Sequence, residues 1–360
     1  MGRAGRLISN ANDVDAIVLM NGTQPFLDST FWYVSENTSG SFEGSIAVIS
    51  KGGSLNVLVN KLEELSAKEG KGNVFVYETR AERDNFLKEL LKDSKKIGMN
   101  TRSVSYAGAE YIKKVSSAEI VDVSSAILKT VSIKDSKEIE SIRKACTISS
   151  KAANAIPDML YDGITEKTAA SEVDMMMLKN GAEGTAFETI AAFGEASAEP
   201  HHHPSVRKLM AGDTALFDFG CKYDMYCSDL TRTVFFKEPD ARLKRAYEVV
   251  ARAKEAGMAA IRDGVAAKDV DEAARKVIDK SEFKGLFIHS FGHGIGMDVH
   301  EGISVSHLSD DILMENMVVS AEPGIYIPGL GGIRIEDTVL VKKNGFESLT
   351  KFDQKFTVIQ

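Results

Sequence analysis

Two β-rich stretches each carry a pair of acids. In FDFGCKYDMYCSDLTRTVFF, residues 217–236, they are Asp218 and Asp229. A two-residue turn at Tyr223-Asp224 would set these two directly opposite each other across a hairpin. In AEPGIYIPGLGGIRIEDTVLV, residues 321–341, a loop at Pro328-Gly329-Leu330 would do the same for Glu322 and Glu336. Directly opposed side chains share one face of a sheet, with Cβ atoms about 4.5–5.5 Å apart. Two carboxylates held so repel each other, and a cation between them relieves the repulsion. A single pair could be ordinary exposed strand acids; a second pair of the same design argues against that. HSFGHGIGMDVHEG, residues 289–302, adds His293 among glycines, which let the backbone approach closely and leave the imidazole unobstructed. One imidazole and four carboxylates suit two divalent cations. Oxygen-rich ligation favours Mn²⁺ or Co²⁺ and leaves Zn²⁺ open. Two such ions side by side are a known device for activating water.

AEPHHHPSV, residues 198–206, holds three of the chain's seven histidines. Taken alone it reads as a metal site or as a fragment of an affinity tag. Cys146, Cys221 and Cys227 are too few for a disulfide framework and are expected to be buried, reduced thiols. Under the assumed register Cys227 shares a face with Asp229, and Cys221 lies on the other.

The words SDLTRT, GHGIGMDVHE and EPGIYIPGLGGIRIED, with Asp218, Asp229, His293, Glu322 and Glu336 in that order, resemble the metal-dependent pita-bread peptidases. That family includes methionine aminopeptidases, Xaa-Pro aminopeptidases and prolidases. The resemblance is strong over about residues 131–360, and the two-domain plan at this length is most similar to the prolidases, which are Xaa-Pro dipeptidases. It implies that Asp229 and Glu336 bridge two metals, that Asp218 binds one, and that His293 and Glu322 bind the other. It further implies that Glu322 shuttles a proton and that His300 bonds the substrate or a developing oxyanion. Arg334 would neutralise or orient a carboxylate, and the free carboxylate of a dipeptide is the expected partner. A family histidine seventeen residues before the first aspartate falls on His201, which would then face the substrate from a loop. Glycine usually follows that histidine; here His202 and His203 stand in its place and are expected on the pocket rim. Asp337 is expected to buttress its loop, and His289 and His307 to be structural. The implied substrate is a small peptide with proline after the scissile bond, and the implied assembly a homodimer. The alternatives are an Xaa-Pro aminopeptidase acting on longer peptides, a creatinase-like hydrolase, and a non-catalytic binding protein. The last two do not keep this ligand set.

The elements that must position these residues follow from periodicity. AIVLM (16–20), SIAVIS (45–50), LNVLVN (55–60), VFVYE (74–78) and KKIGMN (95–100) read as strands, and residues 78–93 as an amphipathic helix. FWYVSEN (31–37) reads as core, with a cap over a neighbour's pocket as the alternative. The pattern changes at Asp135, where Glu138 three residues on suggests a capping box. The expected domains are therefore 1–130, a small creatinase-type α/β unit, and 131–360, an α+β pita-bread unit. Helices are expected near 136–156, 164–180, 239–263 and 267–280, with Met175, Met176 and Met177 in the core.

Bulk properties exclude several classes. A net charge of −8 disfavours nucleic acid as a partner. No apolar run approaches the roughly 20 residues of a membrane helix. The N-terminal stretch lacks a signal-peptide core, and a reducing cytoplasm is the expected compartment.

Overall fold

Short apolar runs bounded by turn formers cannot complete helices, and in the first part of the chain they pair as strands. The computed structural model describes residues 1–352 and 356–360. It divides into two units, Met1–Val131 and Ser132–Gln360. In the first, β1 (Ala16–Met20), β2 (Ile46–Ser50), β3 (Leu55–Asn60), β4 (Asn73–Tyr77), β5 (Lys96–Met99) and β6 (Glu119–Asp122) form one sheet in the order β4-β3-β2-β1-β5-β6. The β1–β2 and β2–β3 pairs are antiparallel and the other three parallel. Ile17, Val18 and Leu19 on β1 are fully buried, which is why that strand is apolar throughout. Helices Arg3–Asn10, Ser29–Ser35, Tyr106–Ser116 and Ser124–Ser132 were not legible from periodicity. The aromatic stretch lies on the second of these. Phe31 and Trp32 are buried against each other and against Phe42, so the stretch is core.

The second unit repeats one design: two helices, then an antiparallel hairpin. Helices Ser136–Met159 and Glu166–Lys179 cover the sheet that holds Thr214–Phe219 and Leu230–Phe236. Helices Ala241–Ala260 and Ala267–Asp279 cover the strands from Val318 to Lys342. The capping box at Asp135 and Glu138 is present, each side chain accepting from the other's backbone N–H. Phe217, Phe219 and Val234 fill the first core; Val319, Ile325 and Ile333 fill the second. Each such side chain stabilises the fold by about 1.5–3 kcal/mol on burial. The methionine triplet does not enter the core together. Met177 is buried and Met175 is 47% exposed, because successive helical residues point about 100° apart. Among the described residues no helix is long and apolar enough to cross a membrane.

The hairpin registers decide where the acids lie. In the second hairpin Gly324 pairs with Arg334 and Ile327 with Gly331, while Val318 pairs with Leu340 and Ala321 with Asp337. Both ladders share the register that sets Glu322 opposite Glu336, as expected. Between them the ladder opens. Pro323 has no N–H to donate, and the amides of Glu322 and Glu336 turn instead to Phe291 O (2.8 Å) and Thr231 O (3.1 Å). In the first hairpin the expected register is wrong by two residues. Asp218 pairs with Thr231, not Asp229, and Tyr223 pairs with Tyr226. The turn is Asp224-Met225, with φ of 48° and 69°. Two left-handed residues match the twist of a tight hairpin. The carboxylate of Glu183 fixes the turn from a distant segment, accepting both turn amides at 2.9 and 3.1 Å. A two-residue displacement leaves each side chain on its original face.

Met225 occupies a backbone region that glycine enters without strain. Met225→Gly should raise the unfolding free energy of the second unit by about 0.5–1 kcal/mol after the added freedom of the unfolded chain is counted, read as a higher urea midpoint. A lower midpoint would mean that the methionine side chain outweighs the backbone.

Candidate metal centre

Each site residue sits where regular structure stops. Asp218 lies near the end of strand Thr214–Phe219, and Asp229 immediately precedes Leu230–Phe236. Glu322 and Glu336 occupy the opened rung of the other hairpin. His293 sits on a two-residue strand paired with Ser304–Val305. Its neighbours must be glycine: a Cβ on Gly292 would lie 2.1 Å from Ser320 O, and one on Gly294 1.9 Å from Glu301 O.

Ligand-capable atoms of Asp229, His293 and Glu336 lie within 4.8 Å of one another. His293 Nε2 is 3.2 Å from Glu322 Oε1 and 3.5 Å from Asp229 Oδ2. Asp218 joins from the side, its Oδ2 accepting from Arg334 Nη2 at 2.5 Å. Thr231 Oγ1 donates to Glu336 Oε2 at 2.6 Å, and Ser320 Oγ donates to Glu322 Oε1 at 2.9 Å. Among the described residues two buried carboxylate oxygens, Asp218 Oδ1 and Glu336 Oε1, find no hydrogen-bond partner.

The electrostatics follow from crowding. Burial, and then repulsion from Glu336, Asp218 and Glu322, pushes Asp229 well above the ordinary carboxylate range. Burial and the charges of Glu322 and Asp218 do the same to Glu336. Burial raises Asp218 too, and Arg334 offsets part of the rise. Burial alone would push Glu322 up, but the hydrogen bond and charge of His293 outweigh it and hold it at about 2. Unpaired oxygens, mutual repulsion and one imidazole make a donor set that fits hard or borderline divalent cations.

His300 is exposed, and its ring lies 4.1 Å from that of His293. Burial of part of the ring, and then the charges of His293 and His201, hold it below the ordinary imidazole range. His201 is also exposed. No cysteine joins the centre: Cys227 Sγ reaches Met297 O at 3.3 Å, and Cys221 Sγ reaches Ala145 O at 3.4 Å. Asp337 buttresses, as expected, between Arg232 (2.7 Å), Lys254 (2.5 Å) and Thr350 (2.7 Å). His307 Nδ1 lies 3.6 Å from Asp271, remote from the ligand set. His202 Nε2 lies 2.9 Å from the fully buried Glu166. His203 is exposed beside Glu188.

Arg334 is buried among polar partners. It is 3% exposed, and four of its five N–H donors are taken: by Thr231 Oγ1 (3.1 Å), Tyr326 Oη (2.8 Å), Pro200 O (3.4 Å) and Asp218. The carboxylate it orients is Asp218, and little of it is left for a substrate. Tyr326 extends the chain, since its hydroxyl also meets His289 Nε2 at 2.8 Å. Sequence reasoning missed Tyr326 and Thr231. Thr231 was within reach, because it stands two residues after Asp229 and so shares its face.

Two family models match the chain: the Creatinase/Prolidase N-terminal domain over residues 6–130, and Metallopeptidase family M24 over residues 140–343. The chain belongs to metallopeptidase family M24. It is 37% identical over 310 residues to the Xaa-Pro dipeptidase of Pyrococcus furiosus, which is 86% of this chain and 88% of that one. Its structure is similar to the prolidase from Pyrococcus horikoshii OT3, with TM-score 0.89, 35% identity and 98% of each chain covered. It is equally similar to the X-Pro aminopeptidase from Thermotoga maritima MSB8, with TM-score 0.90, 32% identity, and 98% and 99% of the two chains covered.

Arg334→Lys should lower the unfolding stability of metal-free protein by about 2–3 kcal/mol, because one ammonium cannot serve four buried acceptors. Unchanged stability in urea would return Arg334 to a substrate-facing role.

Proposed function

We propose that this protein hydrolyses the peptide bond before proline, as an Xaa-Pro dipeptidase. The observation that carries the reading is the buried set of four carboxylates and one imidazole, with two orphaned oxygens, on a chain similar along most of its length to Xaa-Pro dipeptidases. Asp218, Asp229, His293, Glu322 and Glu336 would hold two divalent cations, Mn²⁺ or Co²⁺ before Zn²⁺. Asp229 and Glu336 would each serve both ions. When bound, such a pair acidifies water and polarises a carbonyl.

The remaining steps belong to the chain's own residues. Glu322 is kept ionised, with Oε1 held by Ser320 and His293, so it can take a proton from the attacking water. It then delivers that proton to the leaving nitrogen, which in an Xaa-Pro bond carries no hydrogen of its own. His201 and His300, both exposed, would donate to the carbonyl oxygen as charge develops on it. The reading extends to a homodimer in the cytoplasm.

One observation favours the neighbouring activity. With Arg334 buried on Asp218, the expected receptor for a dipeptide's free carboxylate is spent. His201 and His300 are left as donors at that end. An Xaa-Pro aminopeptidase needs no such receptor. The decisive assay compares Leu-Pro, Leu-Pro amide and Leu-Pro-Gly in Mn²⁺ or Co²⁺. Preference for the free dipeptide supports dipeptidase action, and equal cleavage of all three replaces it with aminopeptidase action.

Chelation should abolish turnover. Restoring either metal at 100 times its Kd should stabilise the fold by about 2.7 kcal/mol, read as a concentration-dependent Tm. Asp229→Asn should lose more metal than Asp218→Asn, and a reversed order would count against the bridging role of Asp229. His201→Ala and His300→Ala should keep their metal and lose about 10²–10³-fold in kcat. Emergence of either variant without metal would make that histidine a ligand.

A further inference from the structure

The middle histidine of the triplet is turned away from its neighbours. His201 and His203 are exposed, whereas the His202 side chain is 15% exposed and points into the protein. There it meets Glu166, the first residue of helix Glu166–Lys179, whose side chain is fully buried. The Glu166 carboxylate collects four donors. Oε1 accepts from Phe193 N at 2.9 Å. Oε2 accepts from Ser205 N at 2.9 Å and Ser205 Oγ at 2.7 Å, and His202 Nε2 lies 2.9 Å away. Burial alone would push Glu166 up, but the bonds from Ser205, His202 and Phe193 leave it below the ordinary range. The other ring nitrogen, His202 Nδ1, lies 3.4 Å from Glu199 Oε2, so the imidazole sits between two carboxylates.

The backbone around the triplet is tied at both ends. Downstream, Glu166 N bonds Arg207 O at 3.0 Å and Lys167 N bonds Ser205 O at 3.1 Å. Upstream, Pro200 O accepts from Arg334 Nη1 at 3.4 Å, which brings the residue before His201 to the guanidinium that holds Asp218. Between the two ties, His202 is the triplet's inward anchor.

We infer that the Glu166–His202 pair is a positioning device for His201: it pins the loop so that the adjacent imidazole is presented at the pocket. The inference rests on the hydrolytic reading above, in which His201 donates to the substrate. Glu166 and His202 touch no reacting atom; they act through His201. An imidazole anchor here does what a glycine at this position could not, because it carries its own bond to the protein interior. A displacement of about 1 Å in a substrate-facing group can lower turnover about 10²-fold, which is why such a loop gains from an anchor.

The test uses the metal-loaded full-length protein and four variants: His201→Ala, His202→Ala, His202→Gln and the double alanine. His202→Ala should lower kcat for Leu-Pro by about 10–100-fold with metal content unchanged. His202→Gln, whose amide N–H can reach the same carboxylate, should recover most of the loss. In the double variant the second substitution should add less than about twofold, because a group acting through His201 has nothing left to position. Multiplicative losses would overturn the inference, and so would wild-type turnover in His202→Ala. A readout independent of substrate is the ¹⁵N-imidazole spectrum of metal-free protein. The His202 Nε2 proton should exchange slowly, and His202→Ala should sharpen the His201 ring signals as that ring becomes mobile. Absence of Leu-Pro cleavage by wild type would sink the dipeptidase reading alone. An unchanged His201 spectrum in His202→Ala would sink the positioning role alone.

Discussion

Four carboxylates buried in one place, with a single guanidinium among them, set the terms for the rest of the second unit. Two unit charges about 4 Å apart in a medium of effective dielectric near 20 repel by about 4 kcal/mol. Asp229 and Glu336 are driven toward their protonated forms by that repulsion and by burial. Arg334 answers for Asp218, and His293 answers for Glu322. What remains is a deficit of positive charge at the oxygens that lack partners, Asp218 Oδ1 and Glu336 Oε1. A fold selected for stability alone would not bury such a set. Such a deficit suits divalent cations, which membership of the metallopeptidase family implies.

The surrounding structure must resist this repulsion, and it does so with hydroxyls. Both hairpins open near their acids, which leaves backbone groups without ladder partners. Thr338 Oγ1 donates to Asp229 O at 2.7 Å and accepts from Asp229 N at 3.3 Å. Thr233 Oγ1 does the same for Arg334, at 2.9 and 3.3 Å. A threonine on each hairpin thus bonds both backbone groups of a residue on the other. Arg232 adds bonds to the carbonyls of Thr231 and Glu336, and it is itself held by Asp337, whose other carboxylate oxygen accepts from Lys254. Removing one member of such a buried ion group leaves an uncompensated charge, at about 3–5 kcal/mol. Rigidity at the ligands therefore comes from polar contacts across the two hairpins, with the apolar cores behind them.

Legibility from sequence followed the range of the interaction that fixes each feature. The second hairpin was readable because Pro323 and the PGLGG loop act within a few residues of the acids they place. The first was misread by two residues because Glu183, on another segment, holds the turn at Asp224-Met225. The first-unit strands announced themselves through β-branched runs. The short helices there carry too few turns for a 3.6-residue period to stand out. The four acids and His293 were read as ligands from the opposed pairs and the motif words, and Arg334 as the partner of a carboxylate; in this structure that carboxylate is Asp218. The type and position of Arg334 follow from the chain, but the choice between Asp218 and a substrate depends on four contacts from separate elements. The contact of His202 with Glu166 was missed for the same reason, since nothing near it in sequence points to Glu166.

The site also divides its labour by the stiffness of its supports. The acids stand on hairpins stitched through the centre, where small displacements would change the spacing of charges. The two exposed histidines stand on loops, which bring adaptability and need restraint. Each has a restrained chain neighbour. His201 precedes His202, which reaches Glu166. His300 precedes Glu301, whose carboxylate accepts from Lys134 Nζ at 2.8 Å and from Met297 N at 3.0 Å. Lys134 has no exposed side-chain surface, so that pair is as deeply placed as Glu166. In both loops the residue that would meet substrate is exposed, and the adjacent residue is tied to the protein interior. A histidine anchored by its own ring would lose the rotation needed to follow a carbonyl oxygen as it becomes tetrahedral. Anchoring the neighbour fixes the position of the imidazole and leaves its orientation adjustable.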